Sequence, residues 1–93
     1  MRLSPYEIDT IKDTIAQYDR NAEVYLYGSR TDDNAQGGDI DLLVLSQIIG
    51  YLDKLNIRMR LSDRMGGQKI DLLLQKEANN AFSLMAMQRG AKL

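Results

Sequence analysis

The chain has no cysteine and no histidine among its 93 residues. Without cysteine, neither a disulfide bond nor a thiolate metal site can form. Without histidine, the usual zinc sites and every Ser-His or Cys-His nucleophilic mechanism are excluded. Any chemistry must therefore rely on carboxylates, a metal ion that prefers oxygen ligands, lysine or arginine side chains, and backbone dipoles.

Strong charge and long hydrophobic runs are also missing. The net charge of −1 gives no electrostatic signal for nucleic-acid binding, which normally requires a basic excess. No apolar run approaches the ~18 residues that span a bilayer, and the N-terminus lacks a signal-peptide pattern. We therefore expect a cytoplasmic protein without membrane contact. Its length suits one small domain over residues 1–93, and its marginal size favours a partner subunit.

The apolar periodicity predicts an α/β (α+β) fold with a small three-stranded mixed sheet and about four helices. The predicted helical segments are 5–18, a short turn at 29–35, 51–65 and 78–89, and the predicted strands are 23–27, 39–45 and 69–74. Polar residues at the end of the first strand and at the starts of the other two can meet only in one arrangement. The first strand must run antiparallel to the second, and the third parallel to the second.

Asp39 and Asp41 lie at the start of the second predicted strand. Alternate residues of a strand point to the same face, so the two carboxylates are expected side by side. The apolar run 42–45 that follows makes solvation poor, and two buried like charges are costly unless they are neutralised. Mg²⁺ prefers such oxygen ligands and leaves room for phosphates. The alternative is that the pair is ordinary turn chemistry or solvated charge.

Gly28 and Ser29 follow the first strand at a position where backbone N–H groups can bind an anion. Glycine lets a phosphate approach the main chain, the Ser29 hydroxyl adds a donor, and Arg30 could hold a terminal phosphate. A bare Gly-Ser also occurs in ordinary turns. Asp71 repeats the setting of Asp41 in a second Ile-Asp-Leu-Leu frame, although a strand-start aspartate can also simply cap a neighbouring backbone.

The helices at 51–65 and 78–89 carry apolar residues on more than one side. We expect one of them to contribute to a protein interface, the alternative being that its methionines are core filler. Arg58, Arg60 and Arg64 form either a solvated face or a contact with an acidic partner.

Gly28-Ser29, followed after nine residues by Asp39-Ile40-Asp41 and later by Asp71, resembles the nucleotidyltransferase superfamily of the DNA polymerase β type. The short length is similar to that of the minimal nucleotidyltransferases (MNT) of prokaryotes. The resemblance implies that Gly28 and Ser29 hold the nucleoside triphosphate, that Asp39 and Asp41 bind two Mg²⁺ ions, and that Asp71 completes the catalytic and metal site.

The resemblance also implies a partner. Minimal members pair with a separate helical subunit of the HEPN or substrate-binding type, often as antitoxin and toxin in a type VII-like system. Some resemble enzymes that transfer AMP from ATP onto a tyrosine of the toxin, so the leading hypothesis is an adenylyltransferase in a hetero-oligomer. Two alternatives are a catalytic subunit for a small-molecule acceptor and a non-catalytic module that neutralises a toxin by covering it. Three costly, convergent carboxylates favour an enzyme over a binder.

Overall fold

A mixed sheet with helices on both faces forms the protein in its computed structural model, which describes residues 2–32 and 38–93. The elements are α1 (Pro5–Ala16), β1 (Glu23–Tyr27), a 3-10 helix (Gly28–Thr31), β2 (Ile40–Leu45), α2 (Tyr51–Arg64), β3 (Ile70–Gln75), α3 (Ala81–Arg89) and β4 (Ala91–Lys92). The predicted α/β class is confirmed. The predicted turn at 29–35 is observed as the 3-10 helix, and its continuation over 33–35 lies outside the described residues, as do Gln36 and Gly37.

The sheet has the strand order β3-β2-β1-β4. β1 runs antiparallel to β2, and β3 runs parallel to β2, as the sequence predicts. The prediction of three strands is wrong by one, because β4 pairs antiparallel with β1 along the opposite edge. This strand has only two residues, too few to show an alternating pattern.

The helices α1 and α2 cover one face of the sheet. The core there is apolar and includes Ile11, Ile15, Val24, Leu26, Ile40, Leu42, Val44, Ile57 and Leu61. A capping box starts α1, because the Glu7 amide donates to Ser4 Oγ at 3.1 Å and the Ser4 amide donates to Glu7 Oε1 at 2.9 Å. Arg64 Nη1 donates to Thr14 Oγ1 at 2.7 Å and so ties α2 to α1.

The opposite face is covered by α3, which contacts β1 and β2. Tyr25, Leu43, Leu45 and Ala86 form its smaller core. The predicted helix start at 78 is wrong, and α3 begins at Ala81 because Asn80 caps it. The Ser83 amide donates to Asn80 Oδ1 at 2.8 Å. Among the described residues, no helix is both long enough and apolar enough to cross a membrane.

Candidate active site

A row of three polar side chains crosses the sheet at the end of β1. Tyr27 of β1 lies opposite Asp41 of β2, and Asp41 lies beside Asp71 of β3 in the parallel register. Residues in one row of a sheet share a face. In the next row along that face, Tyr25, Leu43 and Leu73 belong to the core under α3. The row of Tyr27, Asp41 and Asp71 therefore lies where the apolar core ends.

Asp41 is the electrostatic centre of this row. Burial is the largest effect that raises the pKa of Asp41, and the negative charges of Asp71 and Asp39 raise it further. A side-chain hydrogen bond with Asp71 acts in the same direction, while the Lys69 ammonium lowers the pKa. Two carboxylates that face each other in this way repel when both are ionised, and a divalent cation would relieve that repulsion.

Asp39 differs from Asp41 because it precedes β2, which begins at Ile40. Its Oδ2 lies 3.4 Å from Lys69 Nζ in a half-exposed ion pair. Among residues 2–32 and 38–93, no three acidic side chains are close enough together to hold a metal ion. The negative charge of Asp39 nevertheless raises the pKa of Asp41. Asp71 lies in register beside Asp41 on the neighbouring strand.

Gly28 forms the turn beside these carboxylates. Its φ of +78° lies in the left-handed region, which L side chains rarely adopt. A Cβ atom at this position would collide with Asp41 Oδ2 and stand only 3.2 Å from Asp41 Cγ. The Thr31 hydroxyl donates to the Gly28 carbonyl at 2.7 Å and closes the 3-10 helix. The predicted turn and the predicted carboxylate are therefore in direct contact.

The guanidinium of Arg30 is held within the protein by three acceptors. Its nitrogens donate to the Gly38 carbonyl at 3.3 Å, to the Arg2 carbonyl at 3.0 Å and to Gln68 Oε1 at 2.8 Å. Arg2 in turn donates to the Ser29 carbonyl at 3.0 Å. In this arrangement Arg30 braces the loop that carries Ser29. Arg2 and Lys69 were not singled out from the sequence, because isolated basic residues give no motif.

A family model described as "Polymerase beta, Nucleotidyltransferase" matches residues 9–93, a range that contains Gly28, Ser29 and all three aspartates. The chain belongs to this family. It is a nucleotidyltransferase domain, and such domains generally use Mg²⁺ and a nucleoside triphosphate. Comparison with curated proteins gives no match.

An aromatic pair, Tyr27 and Phe82, borders the nucleotidyltransferase site. The sequence pattern did not predict this pair. The rings of Tyr27 and Phe82 meet edge to face, with centroids 5.5 Å apart and planes at 86°. Burial raises the pKa of Tyr27, and the charges of Asp41 and Asp71 raise it further. The phenol therefore stays protonated near neutral pH. The sequence feature that could have pointed to Tyr27 is its position directly before Gly28.

The described residues also form a groove of about 570 Å³ at the opposite end of the sheet. Its lining includes Leu45, Ser46, Ile48 and Leu84, and it holds none of the three carboxylates. The Ser46 hydroxyl donates to Asp19 Oδ2 at 2.6 Å, and Ser46 Oγ accepts from the Ile49 amide at 3.0 Å. These hydrogen bonds satisfy the Ser46 hydroxyl in the turn after β2. Because the groove contains none of the three carboxylates, it is a surface separate from the nucleotidyltransferase site.

Proposed function

We propose that the protein is an Mg²⁺-dependent nucleotidyltransferase that transfers AMP from ATP to a hydroxyl group of a HEPN-type partner toxin, as the antitoxin of the pair. The observation that carries the proposal is the contact between Gly28 and Asp41, with Asp71 in register beside Asp41. This contact places the Gly28 turn, which can bind a phosphate, next to Asp41 and Asp71, which can bind a cation.

Asp39, Asp41 and Asp71 would hold the Mg²⁺ ions. Their oxygens are the ligands that Mg²⁺ prefers. Burial, and after it the negative charges of Asp71 and Asp39, raise the pKa of Asp41, and a bound cation would favour its ionised form. When bound, the ions supply positive charge that makes the acceptor hydroxyl more acidic and stabilises the leaving pyrophosphate. Binding requires Asp39 to exchange its exposed pairing with Lys69 for the metal, which costs little.

The turn at Gly28 and Ser29 would bind and orient the triphosphate. Backbone N–H groups at the start of the 3-10 helix donate to phosphate oxygens, and the Ser29 hydroxyl adds one donor. Because Gly28 has no side chain, the phosphates can approach both the main chain and Asp41. Positioning of this kind supplies much of the rate in phosphoryl chemistry.

Asp71 is the group that would take the proton of the acceptor. The acceptor oxygen forms a bond to the α-phosphorus, the bond from that phosphorus to pyrophosphate breaks, and the hydroxyl proton passes to a carboxylate. No histidine exists to serve as the base. Asp71 lies beside Asp41 on the strand next to it, where a carboxylate can reach the same substrate.

Exposed apolar side chains support a protein partner. Three of them lie close together in sequence where α2 begins: Ile48 is 67% exposed, Tyr51 is 69% exposed and Leu52 is 74% exposed. We call these three residues the α2 patch. An exposed cluster of this kind is typical of a protein interface. It lies near the groove that Ile48 lines, which contains none of the three carboxylates.

The test is to incubate the protein with ATP, Mg²⁺ and the product of the adjacent reading frame, and then to measure intact masses. The proposal expects that product to gain the mass of one or more AMP units. The control is the double variant Asp39→Asn, Asp41→Asn, which should leave the mass unchanged and fail to rescue toxicity. Full rescue by this variant with an unmodified toxin would instead show a binding module. No rescue and no mass change with wild type would favour a small-molecule acceptor.

A further inference from the structure

Phe82 stands in the first turn of α3, above the sheet face that carries the carboxylates. The residue is 48% exposed, which is unusual for a phenylalanine that also contacts the sheet. The contact is with Tyr27, whose ring meets it nearly at a right angle. The contact with Tyr27 therefore positions the Phe82 ring while about half of the residue stays open to solvent.

The position of this ring is set by the site. Tyr27 lies directly before Gly28 in the chain and directly opposite Asp41 in the sheet. A ligand whose phosphates are held at Gly28 and beside Asp41 must place the rest of its structure nearby. In the next row of that face, Leu43 is fully buried under α3 and Leu73 is partly buried, so the exposed aromatic surface beside the phosphate turn is that of Phe82. An exposed aromatic ring suits a flat heterocycle.

We propose that Phe82 stacks against the base of the nucleoside triphosphate, with Tyr27 as the positioning residue that orients the Phe82 ring. This inference rests on the proposed function, because the phosphates must be bound at Gly28 for the base to reach the ring. Stacking accepts every base, since each has a π face. The site would therefore recognise the nucleoside triphosphate class, and the choice among bases must come from other contacts.

The first test compares MgATP with magnesium tripolyphosphate, which has the phosphates but no base. Phe82→Ala should weaken MgATP binding roughly tenfold or more, as loss of a base–aromatic stack does, and leave tripolyphosphate binding unchanged. Phe82→Tyr should bind MgATP within a few fold of wild type. The matched control is Leu84→Ala, which removes a similarly exposed apolar side chain, 45% exposed, from the same helix. It should bind both ligands as wild type does.

A second measurement uses the absence of tryptophan from the chain. Phe82→Trp introduces a single indole at the proposed stacking position. Its fluorescence should change when MgATP binds and should stay constant when tripolyphosphate binds. A tryptophan placed at Leu84 should respond to neither ligand.

The outcomes separate the two proposals. Unchanged MgATP affinity in Phe82→Ala would overturn the stacking role while leaving the proposed function in place. Equal losses for MgATP and tripolyphosphate would also overturn it, because they would show that Phe82 only supports the fold of the site. A wild-type protein that binds neither ligand would overturn the proposed function and the stacking role together.

Discussion

Replacing Gly28 by alanine tests the contact on which the active site depends. An alanine at φ +78° pays a backbone penalty of about 1–2 kcal/mol, because the left-handed region is unfavourable for L residues. Its Cβ atom would also meet Asp41 Oδ2. That oxygen is the end of a side chain that can rotate, so the collision should be relieved by turning the carboxylate away and not by unfolding the turn.

Gly66 offers a matched control. Its φ of +74° carries the same backbone penalty, and an added Cβ would find no atom of the described residues within 4 Å. Both alanine variants should therefore lose about 1–2 kcal/mol of unfolding free energy, seen as a lower Tm by roughly 4–8 °C per kcal/mol. Only Gly28→Ala should lose nucleotide transfer, because only there is a carboxylate displaced.

The assays are thermal unfolding by circular dichroism and transfer of label from ATP, measured on both variants at one temperature below their Tm. If Gly28→Ala transfers as fast as Gly66→Ala, the position of Asp41 against the turn is not needed for chemistry. If Gly28→Ala is several kcal/mol less stable than Gly66→Ala, the carboxylate is fixed and our reasoning about its rotation is wrong.

Three further predictions concern the charges around the site. Asp41→Asn should raise the stability of the metal-free protein at pH 7 by about 1 kcal/mol, because burial and the charges of Asp71 and Asp39 disfavour the ionised carboxylate and solvent screening limits the effect. Because the folded-state pKa of Asp41 is raised, wild type loses stability as pH rises through that pKa, so the gain should vanish below the unfolded value of about 3.9. Lys69→Gln should bind Mg²⁺ a few fold more tightly, measured by calorimetry, because Lys69 competes for Asp39. Arg30→Ala should lower the Tm by roughly 4–8 °C, the effect of about 1 kcal/mol, because three hydrogen bonds that brace the loop are lost.

Each of these predictions has a result that contradicts it. Equal stability of Asp41→Asn and wild type across the pH range would show that neither burial nor the charges of Asp71 and Asp39 disfavour the ionised Asp41 carboxylate. Weaker Mg²⁺ binding by Lys69→Gln would show that Lys69 supports the metal site. An Arg30→Ala variant with an unchanged Tm and weaker ATP binding would contradict the stabilising role and support the phosphate role expected from the sequence.

The strands and their directions could be predicted because the polar residues had only one way to converge. The repeated Ile-Asp-Leu-Leu frame predicts equivalent positions for Asp41 and Asp71, and the parallel register of β2 and β3 puts them side by side. The starts of these strands were predicted one residue early, so Asp39 does not share the strand geometry of Asp41. Propensity cannot resolve one residue at a strand end.

The remaining features depend on tertiary contacts that leave no local pattern. The position of Arg30 predicts a phosphate ligand, whereas its hydrogen bonds to Gln68 and Arg2 could not be predicted because those residues are distant in sequence. The meeting of Tyr27 and Phe82 depends on how α3 crosses the sheet, which no periodicity encodes. In the same way, β4 is recognisable as a strand only because β1 lies beside it.

The most direct test of a metal-dependent nucleotidyltransferase site is to follow which phosphorus of ATP is transferred. Wild type, the product of the adjacent reading frame and Mg²⁺ are incubated with ATP labelled on the α-phosphorus or on the γ-phosphorus. We predict that the α label reaches the acceptor, that the γ label leaves with pyrophosphate, and that EDTA or the double variant Asp39→Asn, Asp41→Asn abolishes transfer. Transfer of the γ label, or α transfer at the wild-type rate by the double variant, would contradict the account.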